Sequence, residues 1–177
     1  IGIVAEYNPF HNGHVYQINK IKEKYKDSLI IVVMSSSFTE RGEYSLLDKW
    51  TKTKICLENN IDLVIELPYV FSSQSSDTFA FGAVSILNNL NVDIISFGSE
   101  SSNKDKLFKL AKTQINNKKF NNLVKKYIDE GNNYPTSTNK ALKDLTSYEV
   151  KDPNDLLNIS YIKEIIKQNK NINIEII

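Results

Sequence analysis

One cysteine, one methionine, one tryptophan and one arginine are all that 177 residues contain of those four types, and histidine occurs only twice. A lone Cys56 excludes an intramolecular disulfide and a thiolate metal cluster, and a reducing cytoplasm is the compartment such usage fits. Its place in an amphipathic helical pattern reads as a small buried hydrophobe, not a nucleophile. Long apolar runs are also missing. A stretch such as Leu29 to Met34 is far short of the roughly 20 residues a membrane-spanning helix needs, so the chain reads as soluble. Ile1-Gly2-Ile3-Val4 has no basic segment and no small-residue cleavage site. It reads as a first β-strand and not as a secretion signal.

Charge of one sign is scarce overall, since the net charge is +1, yet the balance shifts along the chain. Residues 1–100 hold 8 Lys/Arg against 12 Asp/Glu, and residues 101–177 hold 14 against 9. The second part is therefore the one suited to a polyanion, with a merely solvated lysine-rich face as the alternative.

Apolar periodicity predicts short β-branched strands near residues 1–5, 29–34, 61–66 and 93–97. Each is followed by a helix, near 13–26, 46–59, 77–90 and 104–117. Strand-helix units about 30 residues apart belong to a parallel α/β sheet. Nearly unbroken apolar strands such as Leu29-Ile30-Ile31-Val32-Val33-Met34 suit burial on both faces. Beyond residue 103 helical stretches take over, broken at Gly131-Asn132-Asn133-Tyr134-Pro135. A last helix runs from Asn154 to Gln168, and Ile172 to Ile177 offers a fifth strand. The reading is a parallel α/β core over 1–103. Residues 104–177 then add a helical extension and a final strand of the same core, in a chain that stops as another unit begins.

In such sheets ligands bind beyond the carboxyl ends of the strands. The first of these ends, Glu6-Tyr7-Asn8-Pro9-Phe10-His11-Asn12-Gly13-His14, carries both histidines of the chain. Three residues apart at a helix start, the imidazoles share one face. There, backbone N–H groups and two imidazole donors can meet a triphosphate, and Gly13 lets phosphate oxygens approach the backbone. Two other readings stand beside this one. Asn8 or Asn12 caps the helix and the histidines only fill its first turn, or the histidines chelate a metal with Glu6.

The other strand ends supply further candidates for phosphate or acetate contacts. Arg41, the one arginine, has the planar fork that suits phosphate or carboxylate; a surface pair with Glu40 or Glu43 competes with that role. Gln74 and Asp77 lie on the turn after strand three, where Ser76 or Asp77 also suits a helix cap. Gly98 and Ser99 follow strand four, where a nucleotide base or ribose could pass close to the backbone; a plain turn glycine is the competing reading.

The blocks Gly2 to His14, Phe38-Thr39-Glu40-Arg41-Gly42-Glu43, Asp48-Lys49-Trp50, Asp62 to Pro68 and Ser96-Phe97-Gly98-Ser99-Glu100, in that order, resemble the bacterial tRNA(Met) cytidine acetate ligase family. Nearly the whole chain is covered, most strongly over 2–100. The resemblance implies the nucleotidyltransferase superfamily marked by His-x-Gly-His, a Rossmann-like parallel sheet with flanking helices for residues 1–103, and a two-step reaction. ATP and acetate give acetyl-adenylate and pyrophosphate; the acetyl group then passes to N4 of the wobble cytidine of elongator tRNA(Met). Carried over, the ATP-binding residues are Val4, Ala5, Glu6, Tyr7, Asn8, Pro9, Phe10, His11, Asn12, Gly13, His14, Val15, Tyr16 and Gln17, then Gly98 and Asn154. His11 and His14 are the catalytic pair. ATP enters as substrate, and Mg2+ is expected with no carboxylate marking its place.

The chain departs from the family at Ser36-Ser37, where relatives carry Gly and a polar residue, and at Glu40, where they carry Gln. It also ends where relatives continue into an arginine block and a helical region. Two rival functions remain: an adenylyltransferase for a phosphorylated coenzyme precursor, and a non-catalytic RNA-binding relative.

Overall fold

The computed structural model describes residues 1–101, 103–150, 152–168 and 171–177. Five parallel strands form one sheet in the order β3-β2-β1-β4-β5: β1 (Gly2–Ala5), β2 (Ile31–Met34), β3 (Leu63–Glu66), β4 (Ile94–Phe97) and β5 (Asn173–Ile176). The helices are α1 (Asn12–Lys24), α2 (Lys49–Glu58), α3 (Tyr69–Ser72), α4 (Ser76–Asn89), α5 (Lys104–Gln114), α6 (Lys118–Asp129), α7 (Tyr134–Thr146) and α8 (Pro153–Lys167). The parallel, Rossmann-like α/β sheet is as expected, including the fifth strand, and its strand order is the structure's addition. No helix among the described residues is long and apolar enough to cross a membrane.

Alternation along the strands sends side chains to two cores. Ile3, Val32 and Met34 join Ile18 and Ile21 of α1 and Cys56 of α2 on one face. Val33, Ile95 and Ile174 join α4, α5 and α8 on the other. Phe79, Leu107 and Ile162 share this second cluster, so the apolar packing runs without a break from α4 into the helices after residue 103. Cys56 is the buried apolar residue expected, and burial pushes its thiol up to about 11.

The ends of several elements differ from expectation for local reasons. Leu29 is 66% exposed and precedes β2, and Leu63 on the edge strand β3 is 44% exposed, so burial on both faces holds only for the inner strands. α2 starts at Lys49 and not at residue 46, because the Asp48 carboxylate caps the Trp50 and Thr51 N–H groups. The cap of α4 is Ser75, whose hydroxyl accepts from Thr78 N, and not Ser76 or Asp77.

Candidate functional site

Running along the chain, β1 to β3 build outward in one direction and β4 and β5 in the other, so the carboxyl ends of β1 and β4 flank the point where strand order reverses. A cleft of about 510 Å³ opens there. Its floor is Ile3, Val4 and Ala5 of β1 and Phe97 of β4; the loop after β1 and the start of α1 form one wall, and Gly98 with α8 forms the other.

His11 is itself the N-cap of α1, so neither Asn8 nor Asn12 has that role. Its Nδ1 accepts from Gly13 N at 3.1 Å, while His11 N donates to His14 Nδ1 at 3.1 Å, a reciprocal capping box. Both Nδ1 atoms are thus acceptors, which leaves Nε2 as the protonated nitrogen of each neutral ring. The rings stack with centroids 3.7 Å apart, and Tyr7 meets His14 edge-on at 4.6 Å. Burial, and then the neighbouring His11, lowers the His14 pKa to about 4. His14 is therefore neutral at physiological pH.

This arrangement revises two sequence arguments. The N–H of Gly13 is already taken by His11, so the imidazoles are the more available donors of the first turn. Gly13 has a second reason to be glycine: a Cβ there would stand 2.9 Å from His11 Cε1 and 3.0 Å from Nδ1.

Of the implied nucleotide residues, Val4, Ala5, Glu6, Tyr7, Asn8, Pro9, His11, Gly13, His14, Tyr16, Gln17, Gly98 and Asn154 line the cleft. Phe10, Asn12 and Val15 do not line it, although the Phe10 ring packs 5.4 Å from His14. Asn154 Nδ2 donates to Glu100 at 2.8 Å across the mouth, and Gln17 Nε2 donates to Ser96 Oγ at 3.3 Å below it.

Arg41, Gln74, Asp77 and Ser99 lie outside the lining. Arg41 is exposed at the tip of a hairpin-like loop closed by the Phe38–Tyr44 bridge, and it has no ion pair with Glu40 or Glu43. Gln74 is exposed on the turn before α4. Asp77 pairs with Lys163 at 2.6 Å and accepts from Ser160 Oγ at 2.8 Å. Ser99 donates to Asp155 at 2.5 Å. No group of three or more His, Cys, Asp or Glu side chains among the described residues could hold a metal ion, so His11, His14 and Glu6 are not brought together as a chelate.

Sequence reasoning missed residues that arrive from far along the chain. Asn158, Tyr161 and Leu157 of α8 line the cleft, and Asn158 Nδ2 donates to the Gly98 carbonyl at 2.7 Å. Lys52, 1% exposed, donates to the carbonyls of Glu6 at 3.0 Å and Ser35 at 2.8 Å, tying together the ends of β1 and β2. The Glu6 carboxylate accepts from Glu40 N, and Asn8 Oδ1 accepts from Leu46 N at 2.7 Å, so the second loop hangs on the first. A lysine on the inner face of an otherwise polar helix is the one signal that marked Lys52.

The model of the family described as HIGH Nucleotidyl Transferase matches residues 1–177. The chain belongs to that family. It is 44% identical over 97% of its length to a tRNA(Met) cytidine acetate ligase of Mycoplasma mobile, and 42% identical over its whole length to one of Anoxybacillus flavithermus. It covers 58% and 45% of those two proteins, so it spans about half the length of the curated relatives it matches. Among solved structures, Thermotoga maritima TmcAL bound with alpha-thio ATP superposes with a TM-score of 0.92 at 33% identity, over 99% of this chain and 45% of that one. As a family member, this chain carries in His11-Asn12-Gly13-His14 the motif that the sequence pointed to first.

Proposed function

We propose that this protein uses ATP to activate acetate as acetyl-adenylate and then transfers the acetyl group to N4 of the wobble cytidine of elongator tRNA(Met). One observation carries the reading: two stacked imidazoles, each with Nδ1 accepting from a backbone N–H of its own turn, stand in a cleft at the switch point of the sheet. The names of the relatives and the nucleotide analogue held by Thermotoga maritima TmcAL support it.

The triphosphate lies across the start of α1, with the Nε2–H groups of His11 and His14 donating to its oxygens as charge builds. Tyr16, Gln17, Gly98 and Asn154 flank the nucleoside. An acetate oxygen attacks the α-phosphorus and the bond to pyrophosphate breaks. The N4 amine of cytidine then attacks the acetyl carbonyl, AMP leaves, and the amine loses a proton. Acetate is itself the nucleophile of the first step, so the protein's part is positioning and charge stabilisation. Mg2+ accompanies the phosphates of ATP and shares their charge when bound. Residues 1–103 serve as the nucleotidyltransferase core and residues 104–177 as its helical extension and final strand, with α8 closing one side of the cleft, in the cytoplasm, where ATP and tRNA meet.

Incubating the protein with ATP, labelled acetate and tRNA(Met) tests the whole reading, and acetate-dependent exchange of pyrophosphate into ATP tests its first half. Label in cytidine is the expected result. Exchange driven by a phosphorylated coenzyme precursor instead of acetate overturns the substrate, and ATP binding unchanged by His14→Ala overturns the role of the histidines.

A further inference from the structure

We propose that the lysine-rich face of α5 and α6, together with Tyr148, is the docking surface for the RNA acceptor, holding its phosphates and stacking one unpaired base. This rests on the reading of the protein as an RNA-modifying enzyme and adds where the RNA lies.

The lysines of this chain are not all alike. Before residue 100, Lys20, Lys22, Lys24, Lys49 and Lys54 each have a carboxylate partner, at 2.7, 2.9, 2.6, 2.7 and 3.9 Å, Lys52 is buried against carbonyls, and Lys26 alone has neither kind of partner among the described residues. Residues 104–126 hold eight lysines and one acidic residue, Asp105. There Lys126 reaches Glu130 at 3.8 Å and Lys104 donates to the Ile174 carbonyl. Lys106, Lys109, Lys112, Lys118, Lys119 and Lys125 have no carboxylate partner among the described residues. A solvated helix face interleaves charges of both signs, because like charges three or four residues apart repel. A stretch in which lysines far outnumber their acidic partners is what a phosphate backbone compensates.

An aromatic group stands within this ridge. Lys106 Nζ and Lys109 Nζ lie 5.5 and 5.3 Å from the centre of the Tyr148 ring, which is 40% exposed. A ring beside two ammonium groups suits an unpaired base and its flanking phosphates. The placement is also right. α5 begins just past Gly98 on the cleft rim, and Tyr148 lies on the connection into α8, whose Asn154 lines the cleft. In chain order, then, both the start of α5 and Tyr148 are joined by short connections to residues that line the cleft.

Fluorescence anisotropy with a labelled RNA hairpin carrying an unpaired loop, and with a blunt RNA duplex of matched length, reads the surface over a range of salt. Lys118→Glu/Lys119→Glu/Lys125→Glu and Lys106→Glu/Lys109→Glu should bind the hairpin at least about tenfold more weakly. The slope of log K against log salt should become shallower by about 0.7 for each phosphate no longer neutralised. The corresponding Lys→Gln sets guard against misfolding and should move in the same direction by less. Tyr148→Ala should remove the preference for hairpin over duplex. Acetate-dependent pyrophosphate exchange needs no RNA and should be unchanged in all of them, so its failure in the unaltered protein points to the proposed reaction and not to this surface. Hairpin affinity and salt slope unaffected by the reversals, or no RNA binding by the unaltered protein, overturns the proposal.

Discussion

The imidazole of His14 lies against that of His11 with ring centroids 3.7 Å apart, and each ring gives its Nδ1 to a backbone N–H of the turn they share. Burial holds His14 neutral, with its pKa near 4 against an ordinary 6.5. The unfolded chain therefore binds more protons than the folded one between those values. The contribution of His14 to stability is fully present above about pH 6.5 and is lost as pH falls toward 4. Urea denaturation at pH 7 and pH 5 should show the protein weaker at pH 5, and His14→Asn should show a smaller difference between the two.

Gly13→Ala should separate activity from stability. A helical alanine is favoured over glycine by roughly 0.5–1 kcal/mol. The new methyl, however, would stand 2.9 Å from the His11 ring, which must swing away. Thermal melting should change little, since the lost His11 cap offsets the alanine gain, while pyrophosphate exchange falls by about 10²-fold, the typical cost of one misplaced transition-state donor. Full exchange activity would mean that the ring position does not matter.

Lys52→Met should be costly. The ammonium satisfies two carbonyls, Glu6 and Ser35, at the ends of β1 and β2, and methionine fills the space but donates nothing. Leaving two such acceptors unpaired costs roughly 2–4 kcal/mol, read as a lower urea midpoint with an unchanged slope. Lys52→Arg, which keeps donors but changes their shape, should recover part of it.

Asp77→Asn should weaken the fold and spare the nucleotide. Its partners are Lys163 and Ser160 of α8, outside the cleft lining. Stability should fall by about 1–3 kcal/mol, with ATP affinity by calorimetry unchanged. A lost ATP affinity would place this carboxylate in the site after all.

The contrast between Asp77 and His14 shows what could be read in advance. The sheet was legible because β-branched runs such as Ile31 to Met34 recur at the spacing of parallel βα units, and the loop after β1 was legible because both histidines fall within it. Asp77 was legible only as a polar residue after a strand, since the partners that engage it lie on α8, more than 80 residues away. Asn158 and Tyr161 were hidden for the same reason. Their helix pattern reveals an apolar side, but not that this side passes over β4 to close the cleft. Lys52 was set apart only by sharing the inner face of its helix with Cys56, since the two carbonyls it joins lie 46 and 17 residues away.

The capping box of α1 ties two events together. The rings that close the first turn are the same rings that line the cleft, so a molecule gripping them also clamps the beginning of the helix. Fraying of that turn and emptying of the cleft become one equilibrium. The amide protons of His11 and Gly13 should then exchange with heavy water more slowly whenever nucleotide is in place.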